Sequence, residues 1–196
     1  IILMDQKYRK LLQLDMQGKG DSLAILFEVK KENLTDYLWK LQNEIDSSNL
    51  NRVEQIIEEY GYPGLAIVGA PANEVAYYVI QHSQKIEKYL PVIKHAAEKS
   101  DLSFTLYAMM LDRFLMYKDQ EQIYGTQGIG VEIPNPQTGK RVLQRIIWPV
   151  RDPAKVNERR KEAGFTQTIE EYCQQLWKTD YRAYSLEEVL RWQKGL

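Results

Sequence analysis

The helical apolar period of this chain first gives way at Gln122-Ile123-Tyr124-Gly125-Thr126-Gln127. Upstream, apolar residues recur at the helical spacing in one stretch after another, joined by short links. Downstream come two β-leaning runs. The six residues between them carry two amides, a phenol, a hydroxyl and a glycine, ten residues past an Asp112-Arg113 pair. Set between two apolar patterns, such a segment is either an ordered structural plug or the wall of a site.

The upstream stretch reads as successive helices. Ile1 to about Gln17 places Ile1, Met4, Tyr8, Leu11, Leu12 and Asp15 on the helical period, and Gly18-Lys19-Gly20 stops it. Leu23 to Val29 is an apolar run whose length suits helix or strand. A stripe of Leu34, Tyr37, Leu38, Leu41 and Ile45 marks a second helix. Asn51 with Glu54 has capping-box spacing for a third, ended by Gly61 and Pro63. Pro71 suits the first turn of the next, which carries Val75, Tyr78, Val79, His82 and Ile86 and either continues or breaks before Leu90-Pro91, with a further piece up to Lys99. Ser100 or Asp101 then caps a long helix reaching about Lys118.

Gly128 to Ile133 and Arg141 to Trp148 are joined by Pro134-Asn135-Pro136-Gln137-Thr138-Gly139, a turn composition that predicts a β-hairpin. Asp152-Pro153 reads as a helix start, Gly164 as its end. Thr168 with Glu171 and Ser185 with Glu188 are two further capping boxes. The expected fold is mainly α: a single bundle-like helical domain over 1–196, with one inserted hairpin at about 127–148 and strands nowhere else.

Composition excludes some classes. No apolar run approaches the roughly 20 residues that span a bilayer. Cys173 is the only cysteine, so an intrachain disulfide is impossible. The chain opens on Ile1 rather than methionine, which implies that an upstream segment has been removed and leaves the compartment open. Tyrosines number 13 against 4 phenylalanines, so a core built from them brings hydroxyls that need partners. The net charge of -1 hides a basic window from Lys140 to Lys161, with eight bases and two acids. Charge runs are mostly solvated surface, and the C-terminal helices lack a helix-turn-helix, so nucleic acid is not an expected partner.

Signatures for serine hydrolysis, phosphate-binding loops and zinc are missing, and no metal or cofactor is expected. His82 is one of only two histidines; His95, in a Lys94-His95-Ala96 context, reads as surface. His82 suits acid–base work near neutral pH, or a satisfied place in its helix stripe. Asp112 and Arg113 are successive helix positions pointing about 100° apart, so one of them turns inward and needs a partner.

Several of these residues together resemble a bacterial domain family of unknown function. The matching elements are Asp5-Gln6 with Arg9, the Asn51 region leading to Gly61-Tyr62-Pro63, Val68-Gly69, Gln81-His82 and Asp112-Arg113. Gln122-x-Tyr124-Gly125-Thr126-Gln127, Pro149 with Asp152, and Arg159-Arg160 before Gly164 complete the set. Tyr62 departs from the tryptophan frequent there. The resemblance supplies no activity; it implies that these polar elements belong together.

Two readings follow. In the first, the polar set builds a small-molecule site, enzymatic in one form: His82 is the acid/base, Asp112 orients it or a water, and Arg113 or Arg160 holds an anionic group. Gln81, Gln122, Tyr124, Thr126 and Gln127 supply hydrogen bonds. In the second, the chain is a partner-binding or toxin-neutralising interaction module whose polar cluster only fixes the fold. The first reading also expects His82, the Asp112-Arg113 pair and the Gln122–Gln127 loop to converge.

Overall fold

A computed structural model describes residues 5–135 and 137–195. Ile1, Met4 and Pro136, named above in the first helix and the hairpin turn, lie outside the described residues. The chain is 63% helical with a two-strand antiparallel hairpin, mainly α as expected. It divides into two compact units between Val92 and Ile93.

The first unit is all helix. Helix α1 (Lys7–Leu14) runs into a wide turn, Asp15–Lys19, in which Gly18 takes a φ of 85°, and the chain becomes helical again as α2 (Gly20–Leu26). The glycines expected to stop the first helix therefore redirect it, and the ambiguous Leu23–Val29 run is mostly helix. Leu12, Leu23, Ala24, Leu34 and Leu38 form the core here, with Tyr8, Leu11, Leu14, Phe27 and Val29 packed against it.

Helix α3 (Leu34–Tyr60) is continuous through the cap expected at Asn51. No glycine or proline interrupts Leu34 to Tyr60, and Val53 is buried on the same helix as Leu34 and Leu38. Glu54 does not cap; its carboxylate takes Lys85, Lys88 and the Tyr89 hydroxyl instead. Beyond the short α4 (Leu65–Val68) and a tight turn at Ala72–Glu74, helix α5 (Val75–Gln81) ends with His82 at its C-cap. Of the two alternatives left at Leu90-Pro91, the break comes earlier, after His82, and Pro91 lies inside α6 (Ile86–Glu98), where its missing N–H removes one hydrogen bond to the preceding turn.

The second unit holds α7 (Phe104–Tyr117), strands β1 (Gly128–Pro134) and β2 (Arg141–Ile147), then α8 (Val156–Glu162), α9 (Ile169–Trp177) and α10 (Leu186–Gln193). The strands pair from Gly128 with Ile147 to Pro134 with Arg141. Because successive strand residues face opposite sides, Ile146 joins a cluster with Val131, Ile133, Trp148 and Val189. Ile147 joins another with Val150, Val156, Ile169 and Cys173. Helices thus cover both faces of one end of the hairpin. At Gly128 a Cβ would meet the Trp177 ring and, at 2.7 Å, the Ile146 carbonyl oxygen, so only glycine allows that approach.

Both C-terminal capping boxes form: Thr168 and Ser185 each accept from the backbone N–H of the glutamate three residues on, which returns a bond to the cap N–H. Asp152 holds the cap position expected of it, ahead of the tight turn Pro153–Lys155 that leads into α8, but in the left-handed region at φ 44° its side chain makes no capping hydrogen bond.

Candidate functional site

The six-residue segment at which the apolar period changes is stitched down on every side within the second unit. Asp112 is fully buried on α7. Its Oδ1 accepts from the backbone N–H of Ile123 (2.8 Å) and Tyr124 (3.1 Å). Its Oδ2 accepts from the Thr126 N–H (3.0 Å) and hydroxyl (2.9 Å). Burial pushes the carboxyl above its ordinary range, and these donors pull it part of the way back.

Gln122 is equally buried and spends its amide in the same loop. Its Nε2 donates to the carbonyls of Gln127 (3.0 Å) and Trp148 (2.6 Å), while its Oε1 accepts from the Gln127 N–H. Its backbone pairs with Pro149 and Arg151. Gln127 donates to the Met109 carbonyl and the Thr126 hydroxyl, and its Oε1 accepts from Arg113 Nε at 3.3 Å. Gly125 turns the loop at φ 69° over Ile169, a conformation that favours glycine.

Arg160 closes the network from α8. It is 2% exposed, stacked between the Phe165 and Tyr172 rings at 4.7 and 5.1 Å, and donates to the carbonyls of Tyr124 (2.8 Å) and Gln167 (2.9 Å). Burial lowers its pKa, with Tyr172, Asp112 and Glu170 opposing. Tyr172 donates its hydroxyl to the Thr126 carbonyl, and burial raises its own pKa. A cavity of about 80 Å³ remains between Thr126, Arg160, Phe165 and Tyr172. At about 30 Å³ per water, that is room for two or three waters.

Gln81 and His82 belong to the first unit, where a second polar network lies. Asp5, 1% exposed, is 3.4 Å from His82 Nδ1 and accepts from Gln6 Nε2. A carboxylate can only accept, so Nδ1 carries the proton and Nε2 the lone pair while the imidazole is neutral. Burial pushes the Asp5 carboxyl up, but His82, Gln6 and Arg9 together hold it below its ordinary value. Arg9 donates to the Asp5 carbonyl and forks onto Asp46 at 2.9 and 2.6 Å. Gln42 bridges Asp46 and the Asp5 carbonyl, and accepts from the Tyr8 N–H. On the same helix as Gln42 and Asp46, the buried Asn49 Nδ2 has no hydrogen-bond partner among the described residues.

The site residues expected from sequence therefore fall into two sets. Asp112, Arg113, Gln122, Thr126, Gln127 and Arg160 share one network, which Tyr124 enters through its backbone; His82 has Asp5 as its acid. Sequence reasoning missed Gln42, Asp46 and Tyr172. Gln42 left a signal, a polar residue four after buried Leu38 on an apolar stripe. Arg159, singled out only beside Arg160 in the resemblance, belongs to the same loop: its Nε holds the Ile123 carbonyl at 2.9 Å and its Nη2 the carbonyls of Arg151 and Asp152. Of the basic window, Arg141, Arg159 and Arg160 all donate to main-chain carbonyls.

The model of a family of unknown function (DUF6624) matches residues 24–186. The chain belongs to that family. The match spans both units and takes in His82 and the whole Asp112 network, while Asp5 and Arg9 precede it. No curated protein and no solved structure matches the chain. Among the described residues, no helix is long and apolar enough to cross a membrane, and no group of three or more His, Cys, Asp and Glu is placed to hold a metal ion.

Proposed function

We propose that the chain binds a small molecule at His82, with the imidazole as acid/base and Asp5 holding its tautomer. The observation that supports this is a buried carboxylate beneath a partly exposed histidine whose second nitrogen makes no hydrogen bond among the described residues. That is the arrangement of an oriented general base.

In this reading Asp112 does not orient His82. Its oxygens are occupied by four donors of its own loop, and Arg113, Gln122, Tyr124, Thr126, Gln127 and Arg160 serve the same lock. The small cavity beside Arg160, about 80 Å³, is too small for a substrate. We treat 1–196 as one functional domain, because the family match crosses the boundary between the units. The second reading, an interaction module, draws support from Met16, Ile25 and Leu26, which are large, apolar and exposed.

The test is ligand-observed NMR with a panel of carboxylates, phosphates, nucleosides and sugars, on the parent protein and on His82→Ala. Hits that vanish in His82→Ala while its melting temperature holds support the site. Hits that persist in His82→Ala, or no hits from any class, count against it.

A further inference from the structure

The second unit carries a groove of about 440 Å³ that the His82 reading does not use. Residues 143–147 of β2 line it, five in succession, with Trp177, Arg182 and Tyr184 opposite; none of the described residues of β1 does. A groove on one face of the hairpin would take every second residue of β2, together with its cross-strand neighbours Gly128 and Gly130. Five successive residues from β2 and none from β1 means that the groove follows the strand's outer edge.

That edge is open. Among the described residues β2 pairs only with β1, and residues 142–147 make no backbone hydrogen bond on the other side. A row of unpaired N–H and C=O groups is a template for another strand unless proline, a bulge or a covering element blunts it. β2 contains no proline, and Val142 and Leu143 on it are exposed. The rim is basic: among the described residues Arg145 and Arg182 make no ion pair or side-chain hydrogen bond, while the nearby Asp180 is engaged by Gln174.

We propose that this groove binds an extended acidic peptide segment of another protein, which adds to β2 as a third strand and sets its carboxylates against Arg145 and Arg182. Main-chain hydrogen bonds supply the affinity and the arginines the choice of partner. A second copy of this chain fits less well, because edge-to-edge pairing of two β2 strands brings the arginines of both copies into one joint. The four exposed residues of β2, 142–145, span about 14 Å, which matches a partner segment of four or five residues.

The probe is a fluorescein-labelled seven-residue peptide of alternating glutamate and valine, followed by fluorescence anisotropy. Two controls accompany it: the lysine-for-glutamate peptide, and the acidic peptide N-methylated at alternate amides. The acidic peptide binds saturably and more weakly as salt rises, and both controls fail. An Arg145→Glu/Arg182→Glu variant with unchanged far-UV circular dichroism binds on the order of tenfold more weakly or worse. Bound peptide slows amide exchange across residues 143–147. Absence of saturable binding, equal binding of the N-methylated peptide, or protection of those amides by dimerisation instead would overturn the proposal.

Discussion

Removing the Asp112 carboxylate should unlock the Gln122–Gln127 segment, and the structure sets the size of the effect. Asp112→Ala strips the acceptor from three buried backbone N–H groups and one hydroxyl. Each buried donor left unsatisfied costs about 1–3 kcal/mol, and the Thr126 hydroxyl is free to rotate toward another acceptor. Water entering the adjacent cavity recovers part of the loss, which leaves a net cost of about 3–5 kcal/mol. For a chain of this size, about 2–4 °C per kcal/mol converts that to a fall of about 6–20 °C in Tm. Asp112→Asn is milder, about 1–3 kcal/mol, because one oxygen still serves Ile123 and Tyr124 while the new amide faces the Thr126 N–H. The loss is offset by relief of a buried charge, since burial already pushes this carboxyl up. Urea unfolding monitored by circular dichroism reads both variants. An Asp112→Ala protein within about 1 kcal/mol of the parent would refute the lock, as would Asn proving costlier than Ala.

Three further outcomes are expected. Thr168→Ala and Ser185→Ala should each cost about 1 kcal/mol, since both remove a formed capping box, and chemical denaturation measures each. Arg160→Lys should be clearly destabilising, because an ammonium cannot stack between Phe165 and Tyr172 while holding two carbonyls; the same unfolding curves show it. Glu54 accepts from Lys85, Tyr89 and Lys88, which hold its pKa at about 2, below its ordinary 4.5. A lowered carboxyl pKa gives stability that is present above the unfolded value and lost as pH falls from about 4.5 through about 2. Glu54→Gln should therefore flatten the acid limb of a stability–pH profile, and less so at high salt.

What the sequence shows and what it hides follow from the range of the forces. The caps at Thr168 and Ser185 are legible because both partners lie within one turn. The hairpin is legible because its turn residues sit between two β-leaning runs. The cap expected at Asn51 fails for the same reason in reverse: Asn with Glu three residues on is a local signal, and the uninterrupted stretch from Leu34 to Tyr60 outweighs it. Asp152 stands at the cap position that its identity suggests, but its φ of 44° is not visible in the sequence and its side chain makes no capping bond. The Gln122–Gln127 segment is marked as special by composition alone, yet its partner Asp112 is separated from it by a turn that periodicity does not describe. Asp5 and His82 are 77 residues apart. No spacing rule reaches that far, so the acid beside His82 is visible only in the fold.

The most direct test of the proposed site is the tautomer of His82. With only two histidines in the chain, ¹⁵N labelling and a His95→Gln variant assign both rings. At a pH where the imidazole is neutral, long-range ¹H–¹⁵N correlation should show the proton on Nδ1 and a lone pair on Nε2. Asp5→Asn should shift that population toward Nε2–H. A neutral His82 already protonated on Nε2 in the parent protein, and unmoved by Asp5→Asn, would contradict an acid–base role held in place by Asp5.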